Sequence, residues 1–258
     1  MERPGIDWSA AGHSTLEGAD RIVLWLGIAA VAILLFLVIR AVLRRKRYRA
    51  VGVLGSAGEA AIRSAIAGVE RKTAGELVVV ILEESDSHPQ ARWLAALLSG
   101  LASYMLVAGS GLDEHPSTVL AALLGGGALG WVLAFFLPGF RRYFVAPGRA
   151  DAMAEEQALQ EFADLGVHRT EGRTGVLLLV SLFERSVIVL ADDGIHRKAD
   201  PAAWIEADRR VLEGIAMGSL AKGLLAGMES IAEVLARHCP LAESERNELP
   251  DHLVIRRR

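Results

Sequence analysis

The chain has 258 residues, of which 52% are hydrophobic and 23% charged, with one cysteine and a formal net charge of -3. A mean hydropathy of +0.33 is too high for one ordinary soluble domain, so the apolar residues must be gathered unevenly along the chain. The slight acidity excludes a global attraction to nucleic acid, and the lone Cys239 excludes an intrachain disulfide and a four-thiolate zinc site, which suits a reducing compartment.

Residues 1–21 form a short N-terminal tail before the first apolar segment, residues 22–43, which is long enough as a helix to cross about 30 Å of hydrocarbon. Arg40 lies near its end and can snorkel. A cleaved signal peptide carries its basic residues before the apolar core, whereas here Arg44, Arg45, Lys46, Arg47 and Arg49 follow it and read as a stop-transfer flank. Beside a membrane span such a cluster is expected to contact anionic lipid head groups rather than nucleic acid.

Residues 93–112 and 118–140 are two further uncharged runs, separated by Asp113, Glu114, His115, Pro116 and Ser117, and they predict a tight transmembrane hairpin. A buried soluble helical hairpin is the rival reading. Ser99 with Ser103, and Gly126 with Gly130, place small residues four apart on one helix face, which allows close helix approach. Gly126 can equally be one more member of a glycine-rich span.

Arg and Lys residues crowd the flanks at residues 44–49, 71–72, 92, 141–142 and 149, while the hairpin tip has none and the tail only Arg3 and Arg21. The positive-inside rule then places the N-terminus outside and the C-terminus in the cytoplasm, as expected of a multi-pass protein of a bacterial inner membrane. Two spans separate residues 44–92 from residues 141–258, so both polar segments share one side and can fold together.

Within the first polar segment, Ser56 is expected to cap a helix to about Lys72, striped by Ile62, Ile66 and Val69. Residues 77–82 are short, apolar and β-branched, as in a strand buried on both faces. In the second segment, Asp151 is expected to cap a helix through Leu165, and residues 176–181 and 187–191 to pair as an antiparallel hairpin. Asp200 and Pro201 open a helix through Ile215. A last helix runs from about Met217 to His238, ended by Pro240, with Cys239 as a buried packing residue. Helices thus outnumber strands and cover both faces of a small mixed sheet.

Thr73-Ala-Gly-Glu-Leu-Val-Val-Val80, Val167-His-Arg-Thr-Glu-Gly-Arg-Thr-Gly-Val-Leu-Leu-Leu-Val-Ser-Leu182, Glu184-Arg185, Ala191-Asp-Asp-Gly-Ile195, Trp204, His238 and Asn247-Glu-Leu-Pro-Asp251 occur in this order. Together they resemble the bacterial integral-membrane branch of the TPM domain family, over residues 56–92 and 151–255. The resemblance implies an α/β fold, an α/β/α sandwich around a small mixed sheet, here split by a transmembrane helical hairpin and preceded by one transmembrane helix. It also implies weak divalent-metal-dependent phosphatase activity, calcium binding, or a part in assembly or repair of membrane complexes. Many relatives export the domain behind a signal peptide, whereas the charged flanks here argue for a cytoplasmic one. Cys239 stands where the family commonly has an aromatic residue before proline, a packing change.

Asp192 and Asp193 follow a strand and precede Gly194, so their carboxylates are candidate ligands for one hard cation, calcium or magnesium; a polar turn is the alternative. His168, Arg169, Thr170 and Arg173 crowd one loop, where they either bind a phosphate or carboxylate or anchor the loop to the sheet. Glu155 and Glu156 read as surface residues near a helix start. No Walker loop, paired-histidine zinc spacing or Gly-x-Ser-x-Gly elbow occurs. The expected function is therefore non-enzymatic or only vestigially catalytic: a membrane-anchored interaction or complex-accessory module, with lipid and a membrane or peripheral protein as partners. The alternative is a weak metal-dependent phosphatase. A transporter is disfavoured because no charged residue lies in the middle of a span.

Overall fold

The computed structural model describes residues 8–43, 50–111, 115–241 and 253–256. The basic cluster Arg44, Arg45, Lys46, Arg47 and Arg49, the tip residues Asp113 and Glu114, and the motif at residues 247–251 lie outside the described residues. In chain order the elements are α1 (Trp8–Leu43), α2 (Ala50–Glu70), β1 (Leu77–Leu82), α3 (Pro89–Gly109), α4 (Pro116–Phe136), α5 (Pro138–Arg141) and α6 (Pro147–Asp164). There follow β2 (Val176–Ser181), β3 (Ser186–Ala191), α7 (Asp193–His196), α8 (Pro201–Ala216), α9 (Leu220–His238) and β4 (Leu253–Arg256). The chain divides into two compact units, one of Met1–Arg45 with His88–Val145, the other of Lys46–Ser87 with Ala146–Arg258.

The first unit is helical, and three of its stretches, Ile22–Leu43, Pro89–Gly109 and Pro116–Phe136, are long and apolar enough to cross a membrane. Several boundaries differ from the sequence expectation. The tail is helical from Trp8, because no proline interrupts the ladder between there and Leu43. α3 and α4 start at Pro89 and Pro116, ahead of residues 93 and 118, since proline fits the first helical position. α3 ends at Gly109 instead of residue 112, two residues before Gly111 turns left-handed at φ 72°. α4 stops at Phe136 because Leu137 precedes Pro138 and is extended, with ψ 90°.

Ser99 and Ser103 meet Gly130 and Gly126. A Cβ on Gly130 would stand 2.6 Å from Ala95 O, and one on Gly126 2.8 Å from Ser99 O. The small residues let α3 and α4 approach to backbone contact. Gly27 of α1 does the same against α3, where a Cβ would stand 2.6 Å from Leu106 N. Trp25, Leu35, Leu97, Leu124 and Phe136 face outwards, exposed, an apolar surface suited to hydrocarbon.

The second unit is an α/β/α sandwich around a four-stranded sheet of order β3-β2-β1-β4. β1 is parallel to β2 and β4, whereas β2 and β3 form the expected antiparallel hairpin. Every residue of β1 and β2 is buried, as their unbroken apolar runs require. Leu77, Val79, Ile81, Val176, Leu178 and Val180 pack against α2, α8 and α9. Val78, Val80, Leu82, Leu177 and Leu179 pack against α6 on the other face.

Here too the structure differs from the sequence expectation. β4 was not anticipated: a four-residue strand near the end of the chain carries little periodic signal, and it pairs with β1 only through the fold. α6 begins at Pro147, so Asp151 is no cap; its Oδ1 accepts from Ser186 Oγ at 2.9 Å. The helix expected from Ser56 begins after a kink at Gly55, whose φ of 66° lies in the glycine region. α9 begins at Leu220, where Ser219 caps Lys222 N, rather than at Met217, because Gly218 turns at φ 87°. Asp200 caps α8 as expected, accepting from Ala202 N at 2.9 Å. Cys239 is buried, and its carbonyl accepts from Ala74 N.

Candidate functional site

The hairpin β2–β3 brings the loop before β2 beside the turn after β3. Asp192 ends the ladder, its N–H donating to Gly175 O at 2.9 Å, and then caps the short α7, its Oδ1 accepting from Asp193 N at 2.7 Å. Across from it, Arg173 sits in left-handed backbone at φ 51°. That conformation is uncommon for a residue with a Cβ, and here the backbone is fixed on both sides, Arg173 N donating to Thr170 O at 3.0 Å and its carbonyl accepting from Gly194 N. Its fork reaches Asp192 twice, Nη2 to Oδ1 at 3.2 Å and Nε to Oδ2 at 3.4 Å. It also reaches Asp193 Oδ2 at 3.6 Å, which Arg197 approaches at 3.4 Å.

The backbone makes this approach possible at Gly194, where a Cβ would stand 2.5 Å from Arg173 O, and Gly194 N donates to that same oxygen at 3.0 Å. Thr170 Oγ1 accepts from Thr174 N at 3.0 Å, and Thr174 Oγ1 donates to Ala74 O at 2.8 Å, so the loop is tied to the start of β1. Thus Thr170 and Arg173 join the aspartates' surroundings. His168 instead packs its ring near Phe162, centroids 6.4 Å apart, and Arg169 lies exposed with its stem over Gly166.

Two arginines therefore neutralise two carboxylates. Asp192 is nearly buried, with 5% of its side chain exposed, and Arg173 covers it. A cation bound there would have to displace that guanidinium, leaving only Asp193 half exposed to recruit it. Among the described residues no three His, Cys, Asp or Glu side chains converge as a metal-holding group.

Two further polar clusters escaped the sequence reading. Glu184, in the β2–β3 turn, is buried, and its carboxylate accepts from Ser85 N at 3.0 Å, from Asp86 N at 3.4 Å and from Ser181 Oγ. Ser85 Oγ donates on to Ser181 Oγ at 3.0 Å. This lies at the C-terminal ends of the parallel strands β1 and β2, where α/β sheets commonly place ligands, but here the donors hold the chain itself. Glu161 of α6, also buried, is held bidentately by Arg256 of β4 at 3.1 Å for both nitrogens. The pairing gave no local signal because its members stand far apart in sequence. Elsewhere a cavity of about 370 Å3 opens between α2, the β2–β3 turn and α8, lined by Val53, Ser181, Leu182, Arg185, Leu212 and Ile215 among others.

No family model matches the chain, and no curated protein matches it. A solved structure does: the NMR structure of the BA42 protein from the psychrophilic bacterium Bizionia argentinensis, at 17% identity. The match covers 78% of this chain and 94% of that one with a TM-score of 0.50. At that identity the likeness is one of fold, a mixed α/β domain with a small sheet.

Proposed function

We propose that this chain is a membrane-anchored TPM-like domain acting as a protein-interaction or membrane-complex accessory module, on the cytoplasmic face of a bacterial inner membrane and with its N-terminus outside. One observation carries the reading. β1, which precedes the hairpin α3–α4, is an inner strand paired to β2 and β4, which come after it. Strands that share a sheet share a compartment, and a membrane hairpin returns the chain to the side it left. The basic flanks favour the cytoplasm for that side. The ordered TPM-like motifs and the fold likeness to BA42 support the domain's kinship. The engagement of Asp192 and Asp193 by Arg173 and Arg197 favours a binding module over a reaction centre.

Fluorescent-protein and alkaline-phosphatase reporters fused after Arg258 test the orientation, with the fluorescent fusion expected to be the active one. Affinity purification in mild detergent tests the role; recovery of no partner of any kind would count against it. The phosphatase reading rests on the strand-end position of Asp192 and Asp193. It fails if hydrolysis of a generic phosphoester with calcium or magnesium is unchanged in the Asp192→Ala, Asp193→Ala variant.

A further inference from the structure

Edge strands of natural sheets are usually guarded by lysine, proline, a bulge or a cover. β3 has none of the first three: it reads Ser-Val-Ile-Val-Leu-Ala and pairs with β2 through six unbroken residue pairs. In an antiparallel ladder bonded and non-bonded pairs alternate. Because Asp192 N bonds inwards to Gly175 O, the groups of Leu190, Ile188 and Ser186 bond inwards too. Val187, Val189 and Ala191 then turn their N–H and C=O groups to the open edge. Among the described residues none of those six groups has a partner.

The helix above this edge is unfinished on the same side. α8 lies over β3 and packs on α9 through Ala207, Val211 and Gly214, which meet Gly227 and Gly223. Helical periodicity turns Ile205 and Leu212 off the face that meets α9, and Leu212 also borders the cavity beside the β2–β3 turn. They are 67% and 43% exposed. Asp208, between them, has an Oδ1 that is buried without a hydrogen-bond partner inside the domain, so it belongs to the packing under α8 and not to the open edge.

We propose that the β3 edge pairs with the β3 edge of a second copy of this chain, antiparallel and two-fold symmetric about Val189, with the two α8 helices meeting along Ile205 and Leu212. This register sets Val187 opposite Ala191 and Val189 opposite itself, so every outward group meets an outward group. Full overlap, with Ser186 opposite Ala191, would set outward groups against inward ones and is excluded. The same register brings the exposed Arg185, in the turn just before β3, to the end of the other strand where the exposed Asp193 opens α7, at both ends. Asp193 is shared within its own copy by Arg173 and Arg197, so this pair selects the register more than it adds affinity. The interface is small, below about 1,200 Å2 in total, and confinement in one membrane raises the effective concentration that holds it. A two-fold axis normal to the sheet keeps the α8 helices of both copies on the same face of the joined sheet, so the contact closes as a dimer.

The inference names a partner for the interaction module and to that extent rests on that reading. Light scattering of the full chain in mild detergent should give twice the polypeptide mass of 27.7 kDa. The Ile205→Glu, Leu212→Glu variant, altered only at exposed positions, should weaken dimerisation at least about tenfold. Val189→Pro should do the same with unchanged circular dichroism, since the N–H it removes points outwards. In a Cys239→Ser background, co-expressed Arg185→Cys and Asp193→Cys chains should cross-link to each other and neither to itself. A monomer at every concentration, or a dimer indifferent to both sets of substitutions, overturns the proposal. A monomer that captures a different protein overturns it too, while leaving the accessory-module reading intact.

Discussion

Asp208 stands one helical turn from Trp204, whose indole N–H is likewise buried without an acceptor. Burial pushes the Asp208 carboxyl up from 3.8 to about 7. The folded state therefore keeps a proton that the unfolded chain releases, and stability falls as pH rises from about 4 to about 7. Asp208→Asn removes that dependence. Thermal melts should show the variant equal to the parent at acidic pH and more stable at pH 8, by on the order of 1–2 kcal/mol once solvent screening is allowed for. Glu206, by contrast, lies at the surface, partly exposed, and is drawn down to about 2 by hydrogen bonds from Arg209 and Arg210, an arrangement that only decorates the surface of α8. At the Asp192 clasp, Arg173→Ala leaves a nearly buried carboxylate facing only a helix N–H. We expect denaturant titration to show a loss of about 1–3 kcal/mol, largely recovered when Asp192→Asn is added.

At the scale of elements, three helix pairs, α1 with α3, α3 with α4 and α8 with α9, come together through glycine. In the membrane-length hairpin, Gly126 and Gly130 leave no room for a side chain against Ser99 and Ser103. Gly130→Leu forces α3 and α4 apart, a change expected to cost about 1–3 kcal/mol and to lower the melting temperature of the detergent-solubilised protein, whereas Gly125→Leu, which faces open space, should not. The spacing of these residues was visible in the sequence, but whether they met was not, since a glycine-rich span offers several faces. β4 illustrates the converse case. Its four residues give too short a run for any periodicity to be read, and only the pairing of Arg256 with Glu161 and of Val254 with Val80 gives it a place.

For the whole molecule, the insertion of residues 88–145 into a folded unit is the distinguishing feature. Its ends are close: Asp86 and Arg149, on either side of the insertion, form an ion pair at 3.5 Å. A chain in which residues 88–145 are replaced by a short glycine-serine linker and residues 1–45 removed should remain soluble without detergent and unfold cooperatively. Removing residues 253–258 from that same chain should lower its denaturation midpoint, because β1 loses an edge partner and Glu161 its arginine.

Sequence alone determined the features that local composition dictates. Uncharged runs long enough to cross hydrocarbon, β-branched runs buried on both faces, and capping at Asp200 each depend on residues within one or two turns, so they can be read without the fold. The tertiary structure decided the features that depend on distant partners. It set Arg173 over Asp192, turning candidate cation ligands into a clasp, buried Glu184 against Ser85 and Ser181, and added β4 beside β1. Those outcomes are long-range pairings of charge and backbone, and no short window of sequence contains both halves of any of them.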